Sequence, residues 1–261
     1  MNFELTKEQK MIVDSVAQFV KDDSPVERFR EMRQSDRGWE PAVWTQMGEY
    51  GWLALAFPEE IGGIGGRFVD MALILEQFGR GLVPEPYIPS VVLAGGLLER
   101  LGNEEQKQQH LAPMIEGDTS LALAFTERGG HYELAHCRAR AEEKDGGWTI
   151  DGEKAWVLNG HAADAILVVA RTSGEPDDLE GLSLFVVDGE ADGLERTAVP
   201  GMDGHRSAFL KLDGVKVGED ALIGEEGKLY EHLEWAIDRG AAAACAEAQG
   251  ELKELLDRTV E

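Results

Sequence analysis

Nowhere in the 261 residues do about twenty apolar residues run without interruption, the length that a bilayer-spanning helix needs. No membrane partner is therefore expected. Cysteine is scarce too: Cys137 and Cys245 stand far apart, without His or Cys neighbours at metal-ligand spacing. That excludes a disulfide framework and a zinc site, and both thiols are expected to be small core residues. Basic residues are few, with Lys plus Arg at 25 against 50 for Asp plus Glu, a formal net charge of -25. Such a field repels phosphate backbones and anionic membranes, so nucleic acid is not an expected partner. An anionic small ligand would need a local basic pocket to offset it. The start, Met1-Asn2-Phe3-Glu4, lacks the basic-then-apolar order of a secretory signal, and a cytoplasmic protein is expected.

What is present is ordinary folded-protein material, 43% hydrophobic with only 9 prolines. Thr6 with Gln9 three residues later has the form of a capping box. Met11, Ile12, Ser15, Val16, Phe19 and Val20 then recur on one helical face before Pro25. Further helices are predicted over Trp44 to Tyr50, over Met71 to Phe78 ending at Gly79, and over Val91 to Leu101 ending at Gly102. Asn103 and Gln106 form a second capping-box pair.

Near Asp118 the period changes. Eight short runs follow, from Leu121 to Phe125 through Ala208 to Leu212, separated by Gly, Asp and Ser. They predict an antiparallel barrel or sandwich, with Asp151-Gly152 as a two-residue hairpin turn. From Leu229 the helical pattern returns, through Ala241 to Ala244, and runs to Glu261 without a stop signal. The expected fold is α+β and multidomain: an all-α domain over 1–118, an antiparallel β-barrel over 119–227, and over 228–261 the first helix of an incomplete C-terminal helical bundle. A lone amphipathic helix needs something to pack on, so a truncated chain or a partner is expected.

The glycines of Gly62-Gly63-Ile64-Gly65-Gly66 invite a dinucleotide-binding reading, which fails on detail. Phe68 holds the place of the third glycine, and Glu59-Glu60 put negative charge beside the would-be pyrophosphate. A glycine-rich loop between helices fits better.

Five segments carry a resemblance instead: Pro58 to Gly63, Gly102 to Lys107, Ala124-Phe125-Thr126-Glu127, Trp156-Val157-Leu158-Asn159-Gly160, and Gly204 to Val217. In this order and near this spacing the chain resembles acyl-CoA dehydrogenases. Through Glu127 to Tyr132 it is most similar to the small subunit of pimeloyl-CoA dehydrogenase-type enzymes. The resemblance implies FAD as cofactor, an acyl-CoA thioester dehydrogenated at its alpha and beta carbons, an electron-transferring flavoprotein as acceptor, and a homo- or hetero-oligomer. No metal is implied.

It further implies Phe125, Thr126, Trp156 and Leu158 around the flavin ring, with a barrel-core tryptophan as the alternative for Trp156. Leu158 departs from the threonine or serine usual there and offers no hydroxyl. Tyr132, Arg206 and Arg239 fall at substrate positions, Tyr132 replacing the usual serine; the alternative for each arginine is a salt bridge. Asp238, before the arginine of the alanine-rich helix, matches the place where a minority of the family carries its basic glutamate. The alternative is an acidic stripe shared with Glu234. The departures also fit a non-catalytic partner subunit that binds no flavin alone, and the supplied chain is expected to be inactive by itself.

Overall fold

The structure, a computed structural model, describes residues 4–260. Thr6 caps the first helix, α1 (Lys7–Asp22), as its spacing predicts: its hydroxyl accepts from the Gln9 amide, and the Gln9 side chain accepts from the Thr6 amide. The Gln9 side-chain amide also donates to Asp70 at 2.8 Å, fixing α1 to a later helix. Next come α2 (Val26–Met32), α3 (Pro41–Glu49) and α4 (Phe68–Gly81). A π-helical segment, Ile88–Gly95, runs into α5 (Gly96–Leu101), and α6 (Glu104–Gln106) leads through a second, Lys107–Leu111, to α7 (Ala112–Glu116). The Asn103 and Gln106 box forms, and the Gln106 side chain also donates to the Asp220 and Leu222 carbonyls, bridging the helices to the sheet.

Eight strands follow: β1 (Leu121–Ala124), β2 (Arg140–Lys144), β3 (Gly147–Leu158), β4 (Ala165–Arg171), β5 (Leu182–Asp188), β6 (Leu194–Pro200), β7 (Arg206–Gly218) and β8 (Leu222–Ile223). They pair in the order β6-β7-β3-β2-β4-β5-β8, with β1 beside β4. The expected barrel is corrected here, because the sheet is mostly antiparallel but does not close. Its two end strands, β6 and β8, do not pair with each other, and the link between its halves, at one edge of β4, is short. There β1 pairs in parallel over Ala165 to Val168, and β2 joins β4 through the single pair Arg140 and Arg171. The strand β4 is buried along its whole length, which is why it reads as an unbroken apolar run.

The expected turn at Asp151-Gly152 is also corrected. Asp145 and Gly146, both at positive φ (54° and 77°), make the hairpin between β2 and β3. Gly152, at φ 150°, sits instead in a register shift within β3, so a single twelve-residue strand replaces two short ones. Its residue type serves a bulge as well as it would serve a turn.

The chain ends in α8 (Tyr230–Val260); Glu261, where the expected helix finishes, lies outside the described residues. α8 lies against α4 at backbone distance. A Cβ on Gly79 would strike the Glu247 carbonyl, and one on Gly250 would strike that of Glu76. Gly79 therefore does not end α4, as the sequence suggested; the helix runs on to Gly81, and Leu82 takes the left-handed cap at φ 51°. Cys137 is buried as expected, but Cys245 is exposed on α8. No helix among the described residues is long and apolar enough to cross a membrane.

Because alanine favours a helix by about 1 kcal/mol over glycine, Gly250→Ala would stabilise a free α8. Here it must push two backbones apart, and the variant is expected to lose about 1–3 kcal/mol, read from its urea midpoint.

Candidate functional site

A cavity of about 460 Å³ opens where the helical half, the sheet and α8 meet. Its carbon walls come from Phe78, Tyr87, Ile88, Leu93, Phe125 and Leu158. The α8 wall is Ile237, Gly240, Ala241, Ala244 and Glu247, one helical face whose small side chains leave the space open. Arg37, His161, His205 and Arg206 add a basic rim. Neither Arg37 nor Arg206 has an ion-pair partner among the described residues, and the Arg206 Nε is buried without an acceptor. Arg37 lies over the Trp39 ring at 4.6 Å, and the Trp39 indole donates to Asn159 at 3.0 Å. Burial, opposed by the bond that His161 Nε2 donates to the Arg37 carbonyl, lowers the His161 pKa.

Of the expected flavin residues, Phe125 and Leu158 line the sheet side of this cavity, while Thr126 and Trp156 do not line it. The Ala155 amide donates to the Thr126 carbonyl at 2.8 Å, holding Phe125 and Thr126 alongside β3. β3 shifts register between Lys154 and Val157, and Trp156 adopts φ 56° there. Bulges of this kind re-aim side chains. Trp156 is 59% exposed and Leu158 43% exposed, while Val157 between them is buried, so the first two share one face. The core alternative for Trp156 is thereby excluded. Its ring packs T-shaped with the Phe209 ring at 5.0 Å, and the Thr126 hydroxyl has no hydrogen-bond partner among the described residues. An exposed aromatic face and a free hydroxyl suit a planar heterocycle with a polar edge. Leu158 adds apolar cover only.

Sequence reasoning missed what holds this corner. Glu127, next to Thr126, accepts from the Arg138 amide at 2.7 Å, the Ala139 amide at 3.0 Å and the Lys154 ammonium at 2.7 Å. The pair is almost fully buried. Desolvation, the largest influence, pushes the Glu127 carboxyl up, but Lys154 and the two amides outweigh it and hold it below its ordinary value. Lys154 at a buried, inward-facing strand position was the available signal. Arg171 was missed as well: fully buried, it donates to the carbonyls of Cys137, Glu180, Ala135, Pro176 and Asp178.

The other expected residues do not converge. Arg206 lines the cavity, but Tyr132 is 99% exposed on the loop after Glu127. Arg239 belongs to a separate pocket of about 240 Å³, its guanidinium between the Phe68 and Trp235 rings at 4.6 and 4.8 Å. It forms no salt bridge among the described residues, and burial, opposed by Glu99, lowers its pKa. Asp238 is exposed, between Ile237 in the first cavity and Arg239 in the second, and lines neither. Glu247, not expected at all, lines the main cavity. Burial, with Glu251 and Asp203 adding, pushes its carboxyl up to about 7.

Lys154→Met leaves Glu127 buried without its countercharge and is expected to cost about 3–5 kcal/mol near neutral pH, most of it recovered when Glu127→Gln is added. That stabilisation belongs to the ionised Glu127, whose depressed pKa means it is lost on acidification. Glu247 has the opposite sign. Between its ordinary value of 4.5 and about 7 the folded state keeps a proton that the unfolded state releases, so stability falls as pH rises through that window. Glu247→Gln should match the parent at about pH 4 and exceed it by about 2–3 kcal/mol at about pH 8, in urea titrations at both pH values.

Residues 6–118 match the family model for the acyl-CoA dehydrogenase N-terminal domain, and residues 122–215 that for the middle domain. The chain is 30% identical over 265 residues to "Probable acyl-CoA dehydrogenase YngJ" of Bacillus subtilis (strain 168), covering 100% of this chain and 69% of that protein. It is 29% identical over 220 residues to the human mitochondrial short-chain specific acyl-CoA dehydrogenase, covering 82% of this chain and 53% of the relative. It thus spans about half to two-thirds of the length of these relatives. Among solved structures, a chain from work on the electron transferring flavoprotein of Acidaminococcus fermentans superposes with TM-score 0.90 at 27% identity, over 100% of this chain and 69% of that one. A chain of the ChsE4-ChsE5 complex from Mycobacterium tuberculosis gives 0.87 at 26%, over 100% and 67%. Two domain models in order, over an architecture that superposes throughout, show that this chain belongs to the acyl-CoA dehydrogenase family.

Proposed function

We propose that the protein is a subunit of an FAD-dependent acyl-CoA dehydrogenase that makes an alpha,beta double bond in a CoA thioester. The observation that carries this reading is the apolar cavity bordered by Phe125, Leu158 and Arg206, with the exposed Trp156 on the adjoining face. In a chain of net charge -25, the unpaired Arg37 and Arg206 supply the local basic site that an anionic thioester requires. Trp156 would cover one face of the flavin, the Thr126 hydroxyl would serve its polar edge, and Phe125 and Leu158 would exclude water. When bound, the flavin supplies a two-electron acceptor for the hydride leaving the beta carbon. Asp238 is the residue we assign to receive the alpha proton, from a position on α8 one residue beyond the cavity wall. Arg239 and Tyr132 remain proposed substrate contacts.

The Glu127 to Tyr132 segment supports kinship with the small subunit of pimeloyl-CoA dehydrogenase-type enzymes. An oligomer and an electron-transferring flavoprotein as acceptor belong to the same proposal. A second reading, a partner subunit that binds no flavin alone, is favoured by Leu158, by the solvent-facing Tyr132 and by the exposure of Asp238.

Colour separates the two. The purified chain, mixed with FAD and freed of excess, is expected to keep a flavin absorbance band, and Trp156→Ala to weaken binding about tenfold through loss of ring stacking. Protein that stays colourless establishes the partner reading instead.

A further inference from the structure

We infer that His161 and Arg206, with Arg37 beside them, form an oxyanion-binding subsite at the basic rim of the main cavity, and that His161 takes up a proton when a carboxylate or phosphoryl group enters it. The inference deepens the acyl-CoA reading and rests on it only for the thioester. All three side chains line that cavity. His161 and Arg206 are seated on one peptide unit, Arg37-Gly38. The His161 Nε2 donates to the Arg37 carbonyl at 2.8 Å, and the Arg206 side chain runs over Gly38, where a Cβ would stand 3.4 Å from its Cδ and 3.7 Å from its Nε. Gly38 holds φ 80°, a conformation that glycine adopts freely.

Each of the two carries a buried nitrogen that no described residue satisfies, Nε of Arg206 and Nδ1 of His161. Buried polar atoms without a partner are few in folded proteins, and two on the rim of one cavity point to a ligand. Their chemistry differs. The guanidinium Nε of Arg206 can only donate. The carbonyl that His161 meets through Nε2 can only accept, so in the neutral ring Nε2 holds the proton and Nδ1 is left as a bare lone pair. A lone pair repels an oxyanion. The imidazolium has an N–H on each side, one for the carbonyl and one for the ligand. An oxyanion drawn in by Arg206 and Arg37 therefore brings one solvent proton onto Nδ1, and that N–H is the one bond formed.

The surrounding charges set the starting state. Burial is the largest influence on His161 and lowers its pKa; the bond to the Arg37 carbonyl opposes it, and the charges of Arg206, Arg37 and Arg196 lower it further, so the free ring is neutral near pH 7. The acids around it are engaged elsewhere. Asp164 accepts from the Ser120 amide, Asp188 from the Glu190 amide and Asp203 from the His205 amide, while Glu190 pairs with Arg196 and Glu85 with Arg28. Asp36 is exposed, and on α8 burial pushes the Glu247 carboxyl up to about 7. None of these acids forms an ion pair with His161, Arg37 or Arg206 among the described residues. A bound anion would offset the guanidinium charges that keep the ring neutral.

The test is calorimetry on the full chain with octanoate, octyl phosphate and octan-1-ol, in buffers of low and high ionisation enthalpy. At about pH 7.5 the parent is expected to take up about one proton per octanoate or octyl phosphate bound, and none with octan-1-ol. Octanoate, ionised throughout, should bind about tenfold more weakly at about pH 8 than at about pH 6. The uptake should persist in Glu247→Gln, which removes the other titrating group of the cavity wall. It should vanish in His161→Gln, whose amide still donates to the Arg37 carbonyl and whose urea midpoint checks the fold. Arg206→Gln tests the subsite independently and should weaken octanoate about tenfold with octan-1-ol unchanged. The tighter of octanoate and octyl phosphate identifies the oxyanion as a chain-end carboxylate or a phosphoryl group, and proton uptake with either supports the subsite. Proton-coupled octanoate binding without binding of octanoyl-CoA rejects the CoA reading and keeps the subsite. Uptake that survives His161→Gln, octanoate bound no more tightly than octan-1-ol, or no binding of either oxyanion by the parent overturns the inference.

Discussion

The cavity exists because two helices touch through their backbones. Gly79 of α4 and Gly250 of α8 each face a carbonyl of the other helix, a contact that any side chain at those positions would break. Close approach is the usual consequence of glycine at a helix crossing, and it normally leaves no room between the partners. Here the same face of α8 continues through Ala244, Ala241 and Gly240, away from the point of contact. Small residues that first bring the helices together then line a space they are too short to fill. Leu or Phe at 241 or 244 would give a tighter core and no pocket.

The sheet contributes through an irregularity rather than through its ladder. A regular β3 would alternate its side chains strictly, and Trp156 would be set by the parity of its neighbours. The register shift between Lys154 and Val157 breaks that rule where Lys154 and Ala155 are buried in succession, which resets the alternation so that Trp156, left-handed at φ 56°, stands out between the buried Ala155 and Val157. Left-handed backbone at a bulky residue is strained, and it persists where surrounding contacts fix it. The amide of Ala155 on Thr126 and the carboxylate of Glu127 on Lys154 are those contacts.

Features written in short-range chemistry were legible in the sequence. Both capping boxes formed as their spacing indicated, since the pairing partners lie three residues apart and need no tertiary partner. The helical half and the strand-rich centre were legible from a change of period. Features decided over longer range were not. Gly79 and Gly152 each carried a correct residue type for the wrong reason, a helix end and a turn, because packing against α8 and a bulge make the same demand for glycine. Closure of the sheet depends on whether its end strands, β6 and β8, pair with each other, and alternation along a strand says nothing about that. Glu247 looked like one more acid in an acidic chain; only its place beside Gly79, in a wall of alanine, sets it apart.

The Glu127 to Lys154 pair poses a different question, since a buried ion pair gains little over a well-packed apolar pair of the same shape. Stability is a poor account of it. Position is a better one. Glu127 receives two backbone amides from the segment leading into β2 and one ammonium from β3, so its carboxylate ties two other stretches to its own loop. An apolar pair would fill the volume but would leave the Arg138 and Ala139 amides without acceptors and free to slide. Hydrogen bonds are directional where hydrophobic contacts are not. The carboxylate therefore sets the register between the loop that carries Phe125 and Thr126 and the bulge that carries Trp156.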